Sequence, residues 1–511
     1  MTWEGRLCKI DENRWEIPMD GSAGMRTNAI IYASEDMIKQ VCSDNAPQQA
    51  ANVACLPGIV GSSMAMPDIH WGYGFPIGGV AAVDGNSGCI SPGGIGFDIN
   101  CGVRLIKTDL TLDDIGDKKD ALVDELYRNV PSGLGSKGLT HVGLKELNEI
   151  LERGSEWAVE NGYGWEDDLD ATEEHGRMTD ADASLVGEKA LKRGLPQLGS
   201  LGSGNHFLEL DVVENVFDDD VAKAYGLKEG TLTVTVHCGS RGCGHQIATD
   251  YLQEMERYIK RNSVSLPDRQ LACAPLDSKL GDDYYKAMCC GANYAWANRQ
   301  MITHWARESF EKVLGDSAES MGMKVVYDVA HNIAKKERHD IDRHHEDVLV
   351  HRKGATRAFA PGRSEIPLRY RDVGQPVIIP GDMSVGTYVL AGRKGSMEQT
   401  FGSSCHGAGR KMSRKEAVRS LAVEDVRRRM SENGIYLRDG SDEGVLEEAP
   451  DAYKDVDEVV EVVCRAGLTA KVAKLTPIGV IKGRAPSLPR LPELVAHVMY
   501  GLDGLAGLFG A

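Results

Sequence analysis

The sequence predicts a mixed α/β fold, with strands and helices interleaved through one large unit. Three observations lead there. Short β-rich runs at Val80–Val83, Val103–Lys107, Thr231–Val236, Met323–Val329 and Val377–Gly392 recur between charged or helical stretches. Residues 284–314 read as one long helix. Several runs end in a histidine followed by a glycine-rich or polar turn, and such turns deliver side chains to a sheet edge, where α/β and mixed folds build their sites.

The composition fits a soluble protein with a sizeable core: 42% of the 511 residues are apolar and 26% charged. A formal net charge of −18 argues against coating nucleic acid by bulk charge but leaves a local basic groove open. The twelve cysteines have no regular spacing, and Cys289 and Cys290 are adjacent, so a reducing compartment is expected. The first residues, MTWEGRLCKIDENRW, lack a basic stretch followed by an apolar run, and no apolar run is long enough to span a bilayer. A cytoplasmic protein without a membrane partner is expected.

In chain order, residues 1–60 form a small mixed segment. Met66–Gly79, MPDIHWGYGFPIGG, reads as a loop holding Asp68, His70 and Trp71 before the Val80–Val83 strand. Ser91–Leu105, SPGGIGFDINCGVRL, sets Asp98 and Cys101 three residues apart among glycines. A carboxylate and a thiolate so placed can ligate a metal; alone, they read equally as a turn-capping aspartate beside a buried cysteine. Residues 108–190 read as helical, with the acidic run Glu166–Asp170 on a solvated face.

Leu198–Leu210, LGSLGSGNHFLEL, brings Asn205, His206 and Glu209 out of a Gly/Ser turn into a strand. Thr231–Val236 alternates like a half-buried strand and ends in His237-Cys238-Gly239-Ser240-Arg241, and Met323–Val329 ends in Ala330-His331-Asn332. His206, His237 and His331 therefore join Asp98 and Cys101 as a candidate cluster, although no local spacing links them. Val350–Pro361 reads as a basic loop with Arg352, Lys353 and Arg357. Val377–Gly392 reads strand, glycine loop, strand. In Gly402–Arg414, His406 lies among small residues, with Arg410, Lys411 and Arg414 downstream. Ser413 and Glu416 form a capping box for one helix that buries Val418, Leu421, Ala422, Val426 and Met430 and ends near Asn433-Gly434. A phosphate suits the region before such a helix.

The motifs MPDIHWGYGFPIGG, SPGGIGFDINCGVRL, GSGNHFLEL, HCGSRGCGHQ, AHN, RKGATRAF, CHGAGR and IKG, in this order, resemble the RtcB family of GTP-dependent RNA ligases. The resemblance runs from about residue 7 to Gly483. It implies a catalytic domain over residues 1–483 and a C-terminal extension over 484–511, proline-rich and then leucine-rich, dispensable for chemistry. It implies an α/β fold of the family's own type, strands and loops arranged around a central dinuclear metal and guanylate site.

The activity it implies is ligation of RNA 3′-phosphate or 2′,3′-cyclic phosphate ends to 5′-hydroxyl ends, in tRNA splicing and processing or RNA repair. The route is a histidine–GMP intermediate and a guanylylated RNA 3′ end. Two manganese ions and GTP are the implied cofactors, RNA the partner, and an archease-type activating protein a further one. Softness of a Cys, His and Asp ligand set would by itself suggest zinc. By resemblance, Asp98, Cys101, His206, His237 and His331 hold the metals, with Cys101 bridging, and His406 is the nucleophile. Asn205, His206, Phe207, Leu208, Glu209, His331, Asn332, Pro380, Gly381, Asp382, Met383, Thr387, His406, Gly407, Ala408, Gly409 and Lys482 line the guanylate pocket. Arg241 and Arg410 contact RNA phosphates. The family usually reads PGSMGTASY where this chain reads PGDMSVGTY, so Asp382 stands in place of a serine. That substitution motivates an alternative: a related nucleotidyltransferase that caps 3′-phosphate ends or opens cyclic phosphates with altered nucleotide use.

Overall fold

The computed structural model describes residues 2–341 and 344–485. The leucine-rich part of the C-terminal extension lies outside the described residues. Two large sheets organise the chain. One has seven strands, in the spatial order Cys8–Lys9, Arg14–Ile17, Ala29–Tyr32, Ile59–His70, Ile77–Asp84, His344–Lys353 and Asn332–Ile341. The other has eight. Its main path runs Lys324–Ala330, Gly102–Thr111, Thr231–Cys238, Phe207–Val216, Thr469–Lys482, Thr387–Gly392 and Pro376–Pro380, and Tyr436–Asp439 pairs parallel to Thr469–Lys482. The expected mixed α/β architecture is what forms.

The long helix spans Lys279–Leu314, starting earlier than the 284–314 pattern suggested. Ser278 caps its first turn by accepting from Gly281 N, and Gly315 ends it in the left-handed region at φ 82°. Tyr284, Met288, Trp296 and Met301 pack it into one core and Ile302, Ala306 and Phe310 into a second. The same helix therefore braces the eight-stranded sheet and the helices around it.

Five local expectations need correction. Thr231–Cys238 is buried along its whole length rather than on one face, because it lies between two neighbouring strands and is covered on both sides. The MPDIH part of the first motif is strand, not loop: Ile59–His70 runs to the histidine, with its register to the next strand broken between Ala65 and His70. The supposed basic loop is the His344–Lys353 and Ala355–Arg357 strands, and its charges are buried on partners. Arg352 pairs with Glu337, and Arg357 with Glu174 at 2.6 Å. In the acidic run, Asp168 is buried and takes two 2.7 Å hydrogen bonds from Arg307. The helix after Ser413 is two helices, Arg414–Ser420 and Val423–Glu432, because Leu421 is extended at φ −110°, ψ 152°. That break leaves Ala422 exposed. Ser413 does cap the first helix, accepting from Glu416 N at 3.2 Å.

All twelve cysteines are free thiols. No described helix is long and apolar enough to cross a membrane.

Candidate metal centre and nucleophile

Five adjacent strands of the eight-stranded sheet bring their ends to one edge. Ala330 pairs with Gly102, Gly102 with Cys238, Phe207 with His237 and Lys482 with Phe207. That register sets His331, Cys101, His237 and His206 side by side, although 230 positions of sequence numbering separate the outermost two. Cys101 Sγ lies 3.3 Å from both His206 Nε2 and His237 Nε2. His206 Nε2 is 2.9 Å from Asp98 Oδ2, and His237 Nε2 is 3.3 Å from His331 Nε2. The ligand atoms form two triads, Asp98–Cys101–His206 and Cys101–His237–His331, each within 4.8 Å, and Cys101 belongs to both.

The loop is held from behind. Asn100 adopts φ 52°, and the buried Arg299 donates to its carbonyl at 2.8 Å and to the Cys238 carbonyl at 2.7 Å. Arg299 and Arg104 share Asp328, all three fully buried, with bonds of 2.7–2.8 Å. Such a buried network is tolerable only because its donors find acceptors. Gly239 is required on packing grounds: a Cβ there would come within 2.2 Å of the Asp98 carboxylate.

The donors suit cations. Ligand atoms on one ion at ordinary metal–ligand distances sit roughly 3–4 Å apart, as these do. Burial, then the neighbouring imidazoles, pushes His237 and His331 well below the usual range, so both are neutral with lone pairs to give. Burial and then Asp98 push the Cys101 thiol up to about 12. Burial would also raise Asp98, but His206, Cys101 and Arg241 override it and hold the carboxyl at about 2. Burial opposes charge on His206 too, yet Cys101, Cys238 and Asp98 keep it well above its ordinary range. A thiol, a carboxylate and three imidazoles packed this closely share protons unless a metal takes their place.

His406 adjoins this cluster, its ring centroid 4.8 Å from that of His331. Its Nδ1 is 2.6 Å from Asp68 Oδ2, which also accepts from His406 N at 3.0 Å and Gly407 N at 3.3 Å. Nε2 has no hydrogen-bond partner among the described residues. Asp68 is fully buried. It went unassigned in the sequence because 338 positions separate it from His406 and nothing in MPDIH marks it as a histidine partner.

The other expected pocket residues surround this point unevenly. Ala408 N donates to Pro380 O at 3.2 Å, joining the histidine loop to Pro380–Met383. Lys482 donates to Gly204 O at 2.9 Å and His206 O at 3.3 Å and lies over the Phe207 ring. Burial and then Asp211 push Glu209 well up; the Lys482 charge opposes this and that of Asp382 adds to it. Thr387 Oγ1 is buried without a hydrogen-bond partner among the described residues. Asn205 is half-buried and follows the left-handed Gly204, at φ 68°. Asn332 bridges Asp98 O and Gly354 N at 3.2 and 2.9 Å. Leu208, one residue out of phase with Phe207 and Glu209, packs into the core instead, and Met383 packs with Val426 and Met430. Arg241 donates to Gly133 O, Ser136 and Ser200. Arg410 donates to Glu448, Tyr453 and the Glu447 and Met412 carbonyls. An RNA contact by either arginine requires those bonds to be exchanged.

Fold and site together define a mixed α/β enzyme with a candidate metal cluster at a sheet edge and a carboxylate-bound histidine beside it. Residues 49–483 match the family described as tRNA-splicing ligase RtcB. The protein of that name from Thermococcus kodakarensis is 56% identical over 477 residues, 93% of this chain and 99% of that one. Those from Archaeoglobus fulgidus and Methanococcus maripaludis are each 53% identical, over 483 and 477 residues. Those alignments cover 94% and 93% of this chain and 100% and 99% of the relatives. The chain belongs to the RtcB family.

Proposed function

We propose that this chain is an RNA ligase of tRNA splicing or RNA repair. It joins 3′-phosphate or 2′,3′-cyclic phosphate ends to 5′-hydroxyl ends at the expense of GTP. The observation that carries the reading is His406, bound through Nδ1 to Asp68 and 4.8 Å from a histidine of the Cys101 cluster. In this reading Nε2 attacks the α-phosphorus of GTP; an N–P bond forms and pyrophosphate leaves. Asp68 keeps the Nδ1 proton in place and stabilises the imidazolium as charge develops. A cyclic phosphate end is first opened by water to a 3′-phosphate. An oxygen of that phosphate takes GMP from His406, and the 5′-hydroxyl then attacks the activated phosphorus, releasing GMP.

Asp98, Cys101, His206, His237 and His331 would hold two manganese ions, with Cys101 shared. Bound metal supplies charge neutralisation and polarises the phosphorus. Lys482, Glu209, Asn205, Asn332, Thr387 and the backbone of Pro380–Met383 and Gly407–Gly409 would enclose the guanylate, and Arg241 and Arg410 would turn to RNA phosphates. Residues 1–483 are the catalytic unit, working in the cytoplasm, with an archease-type protein as activator. Incubation with labelled GTP and manganese, then with RNA bearing a 3′-phosphate and a 5′-hydroxyl, tests the whole scheme. Label on the protein followed by joined RNA is expected; unlabelled protein and unjoined RNA overturn it.

Asp68→Asn should slow GMP transfer to the protein by roughly 10²–10⁴-fold, because an amide donor favours the wrong imidazole tautomer. Metal content should be unchanged, since Asp68 touches none of the five ligands. Single-turnover labelling alongside metal analysis checks both halves.

Asp382, the residue behind the alternative reading, turns one carboxylate oxygen into its own loop, accepting from Ser384 N at 2.8 Å and Ser384 Oγ at 2.6 Å. Its charge still reaches Glu209 and adds to the rise there. Asp382→Ser is expected to tighten GTP binding by roughly threefold to tenfold, the scale of one screened like-charge interaction. Titration calorimetry decides, and clearly weaker binding would mean that the carboxylate engages a guanine N–H.

A further inference from the structure

Lys454 ties together the two chain segments that meet at the nucleophile. Its side chain is buried, and its ammonium donates to the carbonyls of Pro67, at 3.3 Å, and Ile69, the residues on either side of Asp68. Its own backbone N–H donates to Gly409 O at 2.9 Å. The 67–69 stretch needs such a partner. It lies where the strand ladder breaks between Ala65 and His70, so its carbonyls are freed from ordinary sheet pairing. On the other side, Gly409 lies so close to this strand that a Cβ would approach Asp68 O to 2.3 Å. The Asp68 carboxylate closes the junction onto His406 and Gly407.

We propose that Lys454 is a positioning residue for nucleotidyl transfer: it clamps the Asp68 strand against the 406–409 loop and so sets the Asp68–His406 hydrogen bond. The proposal rests on the reading of His406 as nucleophile. A methionine could fill the same space without the cost of burying an ammonium. What the charged group adds is two carbonyl contacts flanking Asp68 and a cation beside its carboxylate. Burial pushes Lys454 down to about 8, against the opposing pull of Asp68, Asp44 and Glu458. The Lys454 ammonium is spent on the two carbonyls that flank Asp68, and only its backbone N–H reaches the pocket loop, at Gly409, so what the side chain contributes runs through Asp68.

The test uses the full chain and three readouts: the rate of GMP adduct formation, joining of RNA supplied with a guanylylated 3′ end, and metal content. Lys454→Met should lose roughly 100-fold in adduct formation, the scale of misplacing a reacting group by ~1 Å. Joining of pre-activated RNA and metal content should stay within about threefold, and Lys454→Arg should recover about tenfold of the loss. In an Asp68→Asn background, Lys454→Met should cost less than about threefold more, because the two residues act as a unit. Undiminished adduct formation overturns the proposal. So does equal loss of both steps, or a full additional loss in the Asp68→Asn background. Should Lys454→Met not fold, Lys454→Gln, which keeps a donor for one carbonyl, is read on the same assays. A His406→Ala protein that still takes up GMP overturns the nucleophile reading instead, by a result that the Lys454 variants do not affect.

Discussion

His406→Ala should take up no GMP from GTP and manganese, whereas the wild-type chain gains one GMP per molecule by intact mass. The adduct should be labile in acid and stable in base, as a phosphoramidate is. The competing assignment is a lysine, as in lysine-nucleotidyl ligases; besides Lys454, which is held on the carbonyls of Pro67 and Ile69, two buried lysines come into question. Burial pushes Lys353 down to about 7, and burial, opposed by Glu448 and Glu209, also lowers Lys482. Neutral amines are nucleophiles. Both, however, are committed to backbone carbonyls: Lys482 to those of Gly204 and His206, Lys353 to those of Tyr73 and Phe75. His406 Nε2 has no such engagement among the described residues, and Asp68 on Nδ1 favours the tautomer that leaves Nε2 unprotonated. The variant should still join RNA supplied with a guanylylated 3′ end, because that step no longer needs the histidine. An adduct that persists in His406→Ala, or maps to Lys482 or Lys353, refutes the assignment.

The candidate metal ligands were legible in the sequence because each sits at or near a strand end beside a glycine or polar turn, a local pattern. Their convergence was not, because it depends on which strands pair. Only the register that sets Ala330 against Gly102 and Phe207 against His237 turns separate histidines into a cluster. Asp68, noted in its motif, went without a role for the same reason, and Lys454 was not noted at all: its role depends on a broken ladder 385 positions away. The misread segments share a different cause. Arg352, Arg357 and Asp168 look like surface charge in a linear reading, yet each is buried on a partner remote from the run of charges that contains it. Charge patterning assigns a residue to solvent by default and misses buried ion pairs, whose partners are visible only in three dimensions. The helix after Ser413 failed at Leu421, where apolar spacing continued through an extended residue.

Cys101→Ser should lose metal from both halves of the cluster at once. Cys101 belongs to both triads, and each retains only two other donors. A serine hydroxyl is a harder and far less acidic donor than a thiol, so it does not replace a bridging thiolate at neutral pH. Metal analysis after dialysis should fall from two ions per chain to fewer than one, and GMP transfer should become undetectable. The fold should persist, because the loop is held by Arg299, by Asn332 and by the backbone bond from His331 N to Cys101 O at 2.9 Å, none of which uses the sulfur. Proton linkage gives a second readout. The Cys101 thiol, held at about 12 by burial and Asp98, must release its proton to bind metal. Apparent metal affinity of the wild type should therefore rise at least about tenfold per pH unit between roughly pH 6 and 8. The contribution of the thiol to that slope should vanish in Cys101→Ser. His237 and His331, already neutral, add nothing to the slope in this range, while His206, raised by Cys101, Cys238 and Asp98, adds to it in the wild type and loses its Cys101 support in the variant. A serine variant that keeps two ions, the full slope and normal GMP transfer would show that Cys101 does not bridge the site.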